Sequence, residues 1–541
     1  MNFSDKIMKK LIGVAAFACI VTVISSCKKD VTELPLSSVS LDVYYRSNKD
    51  ITAGLAGMYT SFQEEMTGVG TGKDPADNTE AYGGRYNYWG EGRSDNFDRG
   101  QYFNNTTTEL AFNAVTINNA TADWGGLYRT ILRANTNIKY IPQVPQYDNL
   151  ATTTIVNNAL AQSYAMRAEC YFYLVRVWGD AVVWTTPYTD VTQQQSRPRL
   201  PKAQIIDSVI IPDLTKAYSL IQKNQTPSVW YINEGAICAI MADVYMWRAG
   251  QPGGGQSDYQ NAIAWTQKLF LAKAPTGAVY TGTSAANLET QANWKNVFLS
   301  PTTSLEGIWS INWDNTVNGC ACLPMQTQLS NNPAQMDTSL YFKWKKNNKV
   351  DTRFGKTIDT LATPTGSYLA HGDKTLKYFA ANYNAANIFP SGSTLNALNL
   401  NVYVVMYRLS DVYLSLAEAY AQTGDLTNAL KYLNYIYVRA RVPIPPATTV
   451  PPIPATQYTT TAAMESAILQ ERQYELFGEG KRWFDLVRTG NVKAVMDPIV
   501  SRRQRIFGTA QTGFQDLNKI YWPLSQNALN ANRLLTQNTG Y

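Results

Sequence analysis

A chain of 541 residues with 45% apolar and 16% charged side chains can build a large core, which excludes a disordered protein. The formal charge of +6 comes with no Lys/Arg-rich run and no nucleic-acid-binding motif, so it assigns no partner. A single histidine, His371, argues against a zinc site of the Cys/His kind. Aromatic residues reach 12%, with 34 Tyr and 13 Trp, more than a core usually needs. That surplus fits a protein that stacks rings against something.

The N-terminus reads as an export signal. Lys6, Lys9 and Lys10 precede an apolar run, Leu11–Ile24, which is short for a membrane span and suited to a signal-peptide core. It ends in Ile24-Ser25-Ser26-Cys27, which looks like a bacterial lipobox: cleavage after residue 26 would leave Cys27 lipid-modified. An ordinary secretory cleavage site beside a chance cysteine is the plainer alternative. Of the other cysteines, Cys19 lies in the leader, and Cys170 and Cys238 sit in apolar helical patterns as small buried hydrophobes. Cys320 and Cys322 are either two free thiols or a pair closed in a strained ring.

Residues 28–47 read as a tether, followed by a short helix over Asp50–Phe62 and an irregular stretch from Glu64 to Asp123. Within that stretch, Tyr82–Tyr102 concentrates rings among charged and amide side chains. Helical spacing predicts helices over Trp124–Tyr140 and Thr154–Trp178, where Arg167 and Glu169 would need partners on other helices. A brief extended segment at Val182–Trp184 follows, then helices over Lys202–Gln222, Tyr231–Ala249 and Tyr259–Leu271. From about residue 274 to 405, apolar runs shorten to strand length, at Ile308–Trp313 and Val402–Met406. This predicts a loop-rich, partly β insertion at about 274–399 on a helical scaffold of about 48–273 and 400–541.

The clearest stretch is Tyr407–Arg441, two amphipathic helices joined at Thr423-Gly424-Asp425. Gly424 suits a left-handed helix end and Asp425 a cap for the next helix. Ala417, Tyr420, Gly424, Leu426, Ala429 and Leu433 follow tetratricopeptide-type spacing, and Ala242, Tyr245, Tyr259 and Ala262 repeat it with a longer turn. A Pro-rich loop, Val442–Pro454, leads to a long helix predicted over Thr461–Arg488.

With these pieces in order, the chain resembles the SusD/RagB family of outer-membrane nutrient-binding lipoproteins over essentially its full length. The residues that carry the resemblance begin with Cys27, Trp124, Tyr128, Ile131 and Asn135, and the run from Arg167 to Asp180. They continue with Tyr407-Arg408, Ala417-Glu418-Ala419, Asn434 and Arg439-Ala440-Arg441. The strongest are Glu471-Arg472, Glu475-Leu476, Glu479-Gly480, Arg482, Asp485-Leu486 and Arg488, with Gln537-Asn538 and Gly540-Tyr541. The resemblance implies a mainly α fold, in which tetratricopeptide-like hairpins form a right-handed scaffold under a loop-rich, partly β ligand-binding insertion. Residues 1–26 would be a signal peptide and 27–541 one domain. It also implies a lid on a SusC-like TonB-dependent transporter, facing the cell exterior, that captures glycans or, in some branches, peptides.

Candidate ligand contacts come from rings flanked by polar groups. A ring offers a flat apolar platform to a sugar's C–H face, and neighbouring amides, carboxylates and guanidinium groups can bond its hydroxyls. Tyr86, Tyr88, Trp89, Asp95, Asn96 and Arg99 have that mixture, as do Trp313, Asp314, Asn315, Tyr341 and Trp344. For any single ring, local packing is as good a reading. The acids of Glu471–Asp485 share one helix with Arg472, Arg482 and Arg488 and read as inter-helix ion pairs. A glycosidase would need two acids converging across a cleft. No GxSxG, HExxH or phosphate-loop pattern is present, so neither an enzyme nor a cofactor is implied.

Overall fold

A computed structural model describes residues 44–67, 85–100, 103–190, 192–318, 333–358, 375, 377–378 and 402–541. The leader, Cys27, Tyr82, Tyr102, Cys320, Cys322, His371 and much of the expected insertion lie outside the described residues. Ser47–Tyr541 forms one compact unit and Met1–Arg46 a second, of which Tyr44–Arg46 are described.

The described chain is mainly helical. Helix α1 (Asn48–Thr67) is longer at both ends than its apolar spacing suggested. The stretch expected to be irregular contains a short buried helix, α2 (Arg85–Gly90), a strand, β1 (Phe97–Arg99), and α3 (Asn105–Ala111) behind an Asn104 capping box. Helices α4 (Gly125–Tyr140) and α5 (Thr153–Val177) follow, with α5 capped by Thr152. The helix expected over Lys202–Gln222 is interrupted by a π-helical turn at Ile206–Ile210 before α6 (Ile211–Leu220). Pro212 cannot donate to the ladder, and the π turn falls where the helix must pass it.

Helices α7 (Glu234–Ala249) and α8 (Gln256–Leu269) pack as one hairpin, and α11 (Leu409–Gln422) and α12 (Leu426–Arg439) as another. Between them in sequence come β2 (Gly307–Ile311), β3 (Ala334–Met336), α9 (Thr338–Lys345), α10 (Arg353–Thr357) and β4 (Val404–Arg408). Helix α4 also packs on α1 and α5, α5 on α6, and α11 on α8, so neighbouring helices form a layered scaffold. At the α11–α12 turn Gly424 has φ +86°, and Asp425 accepts the Asn428 N–H at 3.0 Å. Both roles expected of that turn are present.

Two small antiparallel ladders sit on the helices. β2 pairs with β4 (Trp309 opposite Tyr407), and β1 with β3 (Phe97 opposite Met336). The β2–β4 ladder is buried throughout, which explains its near-continuous apolar sequence.

The long helix expected over Thr461–Arg488 is two. α13 (Thr461–Glu475) ends, the chain turns through Gly478 (φ +78°) and Gly480 (φ +68°), and α14 (Arg482–Arg488) begins. Two left-handed residues cannot belong to a right-handed helix. A Cβ on Gly90 would fall 1.8 Å from the Gly480 carbonyl oxygen, so α2 and this turn touch backbone to backbone. The chain continues into α15 (Val492–Phe507) and a tail in which Asn538 Nδ2 donates to the Trp178 and Trp522 carbonyls at 2.9 and 2.7 Å.

Candidate functional site

The acid–arginine run proves to be an internal brace. Arg408 reaches Glu306 at 3.0 Å, Glu475 at 2.7 Å and Glu479 at 2.8 Å, all four buried. Arg353 spans Glu471 and Glu475, Arg439 reaches Glu306, and Arg441 reaches Glu471. Arg472 pairs with Asp411 and Asp485. These are ion pairs between elements, as expected from the sequence, and they tie α13 to α10, β4, α11 and α12. Surrounding guanidinium groups outweigh burial and hold Glu475 well below the usual carboxylate range.

Arg167 likewise finds its partner on another helix, Asp213 of α6, at 2.7 Å. Glu169 does not. Its nearest cation is Arg176 of the same helix at 3.7 Å, and burial pushes its carboxyl up to about 7.

Most of the rings nominated from sequence are packed inside. Trp89 is fully buried and donates to the Thr121 carbonyl at 2.8 Å, while the Tyr86 hydroxyl reaches the Val405 carbonyl at 2.8 Å. Tyr88 and Trp313 are buried, each 2% exposed. Trp344 stacks on Tyr474 with centroids 4.9 Å apart, and Tyr341 packs edge-on to Phe354. Asp95 accepts from Arg482 at 2.8 Å and Asn96 from Gln473 at 2.9 Å, which clamps the first ring-rich segment to α13 and α14. Glu91 accepts the Gly478 and Gly480 N–H groups at 3.0 Å, and burial raises its carboxyl to about 7. The Arg99 guanidinium lies over Phe507 at 3.8 Å and Phe103 at 4.3 Å. These faces are already occupied by protein, which corrects their reading as open ligand platforms. Asp314 is exposed, and Asn315 opens a four-residue helical turn.

Accessible rings gather elsewhere. Tyr59, Trp230 and Tyr231 line a surface groove of about 200 Å³ with Thr60, Gln63 and Asn312. Phe62 and Trp309 form its floor, stacked at 5.6 Å. α1 supplies Tyr59 and Gln63, the turn before α7 supplies Trp230 and Tyr231, and the end of β2 supplies Asn312. The turn is held because Asn233 caps α7, accepting Ala236 N–H at 3.0 Å, while its amide donates to the Ile308 carbonyl at 2.9 Å. Tyr231, 50% exposed, meets Tyr59 edge-on at 5.1 Å. The Tyr59 hydroxyl accepts the Ile232 N–H at 2.8 Å and donates to Gln162 at 2.9 Å. Burial keeps that phenol protonated far above its ordinary range. Trp230 also packs on Tyr403 at 5.0 Å. Gln63 donates to the Asn312 carbonyl, so α1 and the end of β2 meet across the groove.

No charged side chain lines this groove among the described residues. Its chemistry is flat rings, the hydroxyls of Tyr59, Thr60 and Tyr231 and two amides, suited to an uncharged ligand with an apolar face and polar edges. Sequence reasoning passed over Tyr59, Trp230 and Tyr231 because Tyr59 lies inside a helix and the other two just ahead of one, rather than in a ring-dense loop. The signal available was the Trp-Tyr pair directly ahead of the Asn233 cap.

Residues 306–541 match the model described as the SusD family, and residues 41–246 the one described as starch-binding associating with outer membrane. A SusD-like protein, P38, of Formosa agariphila is 26% identical over 555 residues, covering 96% of each chain. A SusD-like protein of Bacteroides ovatus is 23% identical over 392 residues, 68% of this chain and 65% of that one. Among solved structures, B. fragilis NanU superposes with a TM-score of 0.68 at 20% identity, covering 94% of this chain and 99% of that one. A SusD homolog from Bacteroides thetaiotaomicron gives 0.70 at 16% identity, covering 93% and 98%. The structural likenesses establish the fold.

Proposed function

The chain belongs to the SusD/RagB family, and on that footing we propose that it is a non-catalytic lipoprotein, anchored through Cys27 in the outer membrane and facing outward, that captures an oligosaccharide or polysaccharide and passes it to a SusC-like TonB-dependent transporter. The observation that carries the glycan reading is the Tyr59–Trp230–Tyr231 groove, with accessible rings and no charged lining among the described residues. A peptide-binding lid would favour charged pockets and free backbone groups. Here the Asn312 carbonyl at the groove is already bonded to Gln63. The carboxylates of the sequence motif are held in ion pairs, which supports binding without hydrolysis.

The test is affinity electrophoresis and calorimetry of residues 28–541 against plant, host and microbial polysaccharides and peptide mixtures. At least one glycan should bind, and Trp230→Ala with Tyr231→Ala should abolish that binding. Binding of peptides alone would overturn the glycan reading and leave the transporter-lid role standing.

A further inference from the structure

A second pocket of about 180 Å³ shares Tyr231 with the groove and is lined by Asn158, Gln162, Gln222, Gln225, Ser228, Glu234 and Lys273. Tyr231 lines both pockets, so they adjoin at this residue. We propose that this amide-lined pocket is a second sugar subsite, and that the site takes two or more consecutive units of a neutral oligosaccharide, one on the rings and the next against the amides. The inference rests on the glycan reading of the groove.

The two halves differ in chemistry as adjoining subsites would. The ring side binds by flat apolar contact. The amide side presents paired donors and acceptors, which match vicinal hydroxyls. Asn158 accepts the Gln222 N–H at 2.7 Å and donates to the Gln222 side chain at 3.4 Å, so two amides are braced against each other. Gln162 is fixed by the Tyr59 hydroxyl at 2.9 Å, which links the amide wall to the ring wall through one side chain. Gln222 Oε1 accepts from Asn158 and Gln225 Nε2 donates to the Lys223 carbonyl, which leaves Gln222 Nε2 and Gln225 Oε1 without a protein partner among the described residues and available to a ligand. Glu234 and Lys273 both line the pocket, and their formal charges cancel. Glu234 is further engaged by the Asn224 N–H at 2.9 Å. Between the pockets Tyr59 supports the Tyr231 ring edge-on and is itself bonded at both sides of its hydroxyl.

The test is calorimetry of residues 28–541 with malto-, cello-, xylo- and manno-oligosaccharide ladders of one to six units, on the wild type, Gln222→Ala/Gln225→Ala and Trp230→Ala. In the ladder that binds, affinity should rise at least about tenfold from one unit to three. The double amide variant should lose that gain while keeping wild-type affinity for one unit and an unchanged melting temperature. Trp230→Ala should weaken every length. A length gain untouched by the amide changes, or no gain with length, overturns the second subsite and leaves the ring groove standing. Binding unaffected by Trp230→Ala, or no binding in any ladder, overturns the glycan groove and the subsite with it.

Discussion

The buried brace around Arg408 and the open groove around Tyr231 stand at opposite extremes of one chain. The brace is dense in charge, with Arg353, Arg408, Glu306, Glu471, Glu475 and Glu479 packed out of solvent. The groove has no charged lining among the described residues and offers rings. Charged residues are rarely buried unless paired, so once buried they depend on one another, and any loss leaves a partner stranded. A ring at the surface depends on little else and can change without cost to the fold. The residues that carry the family resemblance therefore hold the scaffold together, and those of the proposed ligand groove lie where the sequence is least distinctive.

The largest effect should come from breaking the brace. Arg408→Ala strands Glu306, Glu475 and Glu479 and should cost about 3–5 kcal/mol, read by chemical denaturation. A loss below about 1 kcal/mol would mean the brace is not holding the elements together. Glu169 comes next. Its folded-state pKa of about 7 lies above the ordinary 4.5, so the folded protein keeps the proton longer than the unfolded chain. Stability is then full below about 4.5 and falls as pH rises through about 7. Arg176, Asp243, Lys481 and Tyr407 are the groups around it. Glu169→Gln should raise stability on the order of 3 kcal/mol at pH 8 and leave it nearly unchanged at pH 4. Equal effects at both values would show that its ionisation is not the cause.

Trp344→Phe opens space beside Tyr474 and Phe477 and should cost about 1–3 kcal/mol in thermal unfolding while sparing ligand affinity. Gly424→Ala strains a φ of +86° and should cost about 1 kcal/mol with no change in binding. Tyr231→Ala, at a half-exposed ring, should shift stability by no more than about 0.5 kcal/mol, yet it should weaken glycan binding more than any of the others.

Much of the scaffold was legible. Apolar spacing located α4, α5, α7, α11 and α12 to within a few residues, because tertiary packing there agrees with helical propensity. The acid–arginine run was readable as ion pairs because so many charges on one helix can be buried only in pairs. The break at Gly478 and Gly480 was missed because a motif with helical spacing on both sides hides a turn that two glycines alone can make. The burial of the nominated rings was hidden for a related reason. Ring density in a polar, Gly-rich stretch signals either a ligand surface or a loop folded back into the core. Trp89 and Asp95 took the second course, anchored by Thr121 and Arg482 from distant parts of the chain. No local pattern encodes those partners. Tyr59, Trp230 and Tyr231 meet only because the second half of α1, the turn before α7 and the end of β2 converge, which is a tertiary fact.

One paired measurement tests the central claim most directly: affinity and melting temperature of Trp230→Ala and Trp344→Phe side by side, on residues 28–541 with the oligosaccharide ladders. The groove account predicts that Trp230→Ala loses binding with a smaller drop in melting temperature than Trp344→Phe, while Trp344→Phe binds as the wild type does. The reverse, with Trp344→Phe losing affinity and Trp230→Ala retaining it, would place the ligand at the rings first suggested by the sequence and contradict the groove.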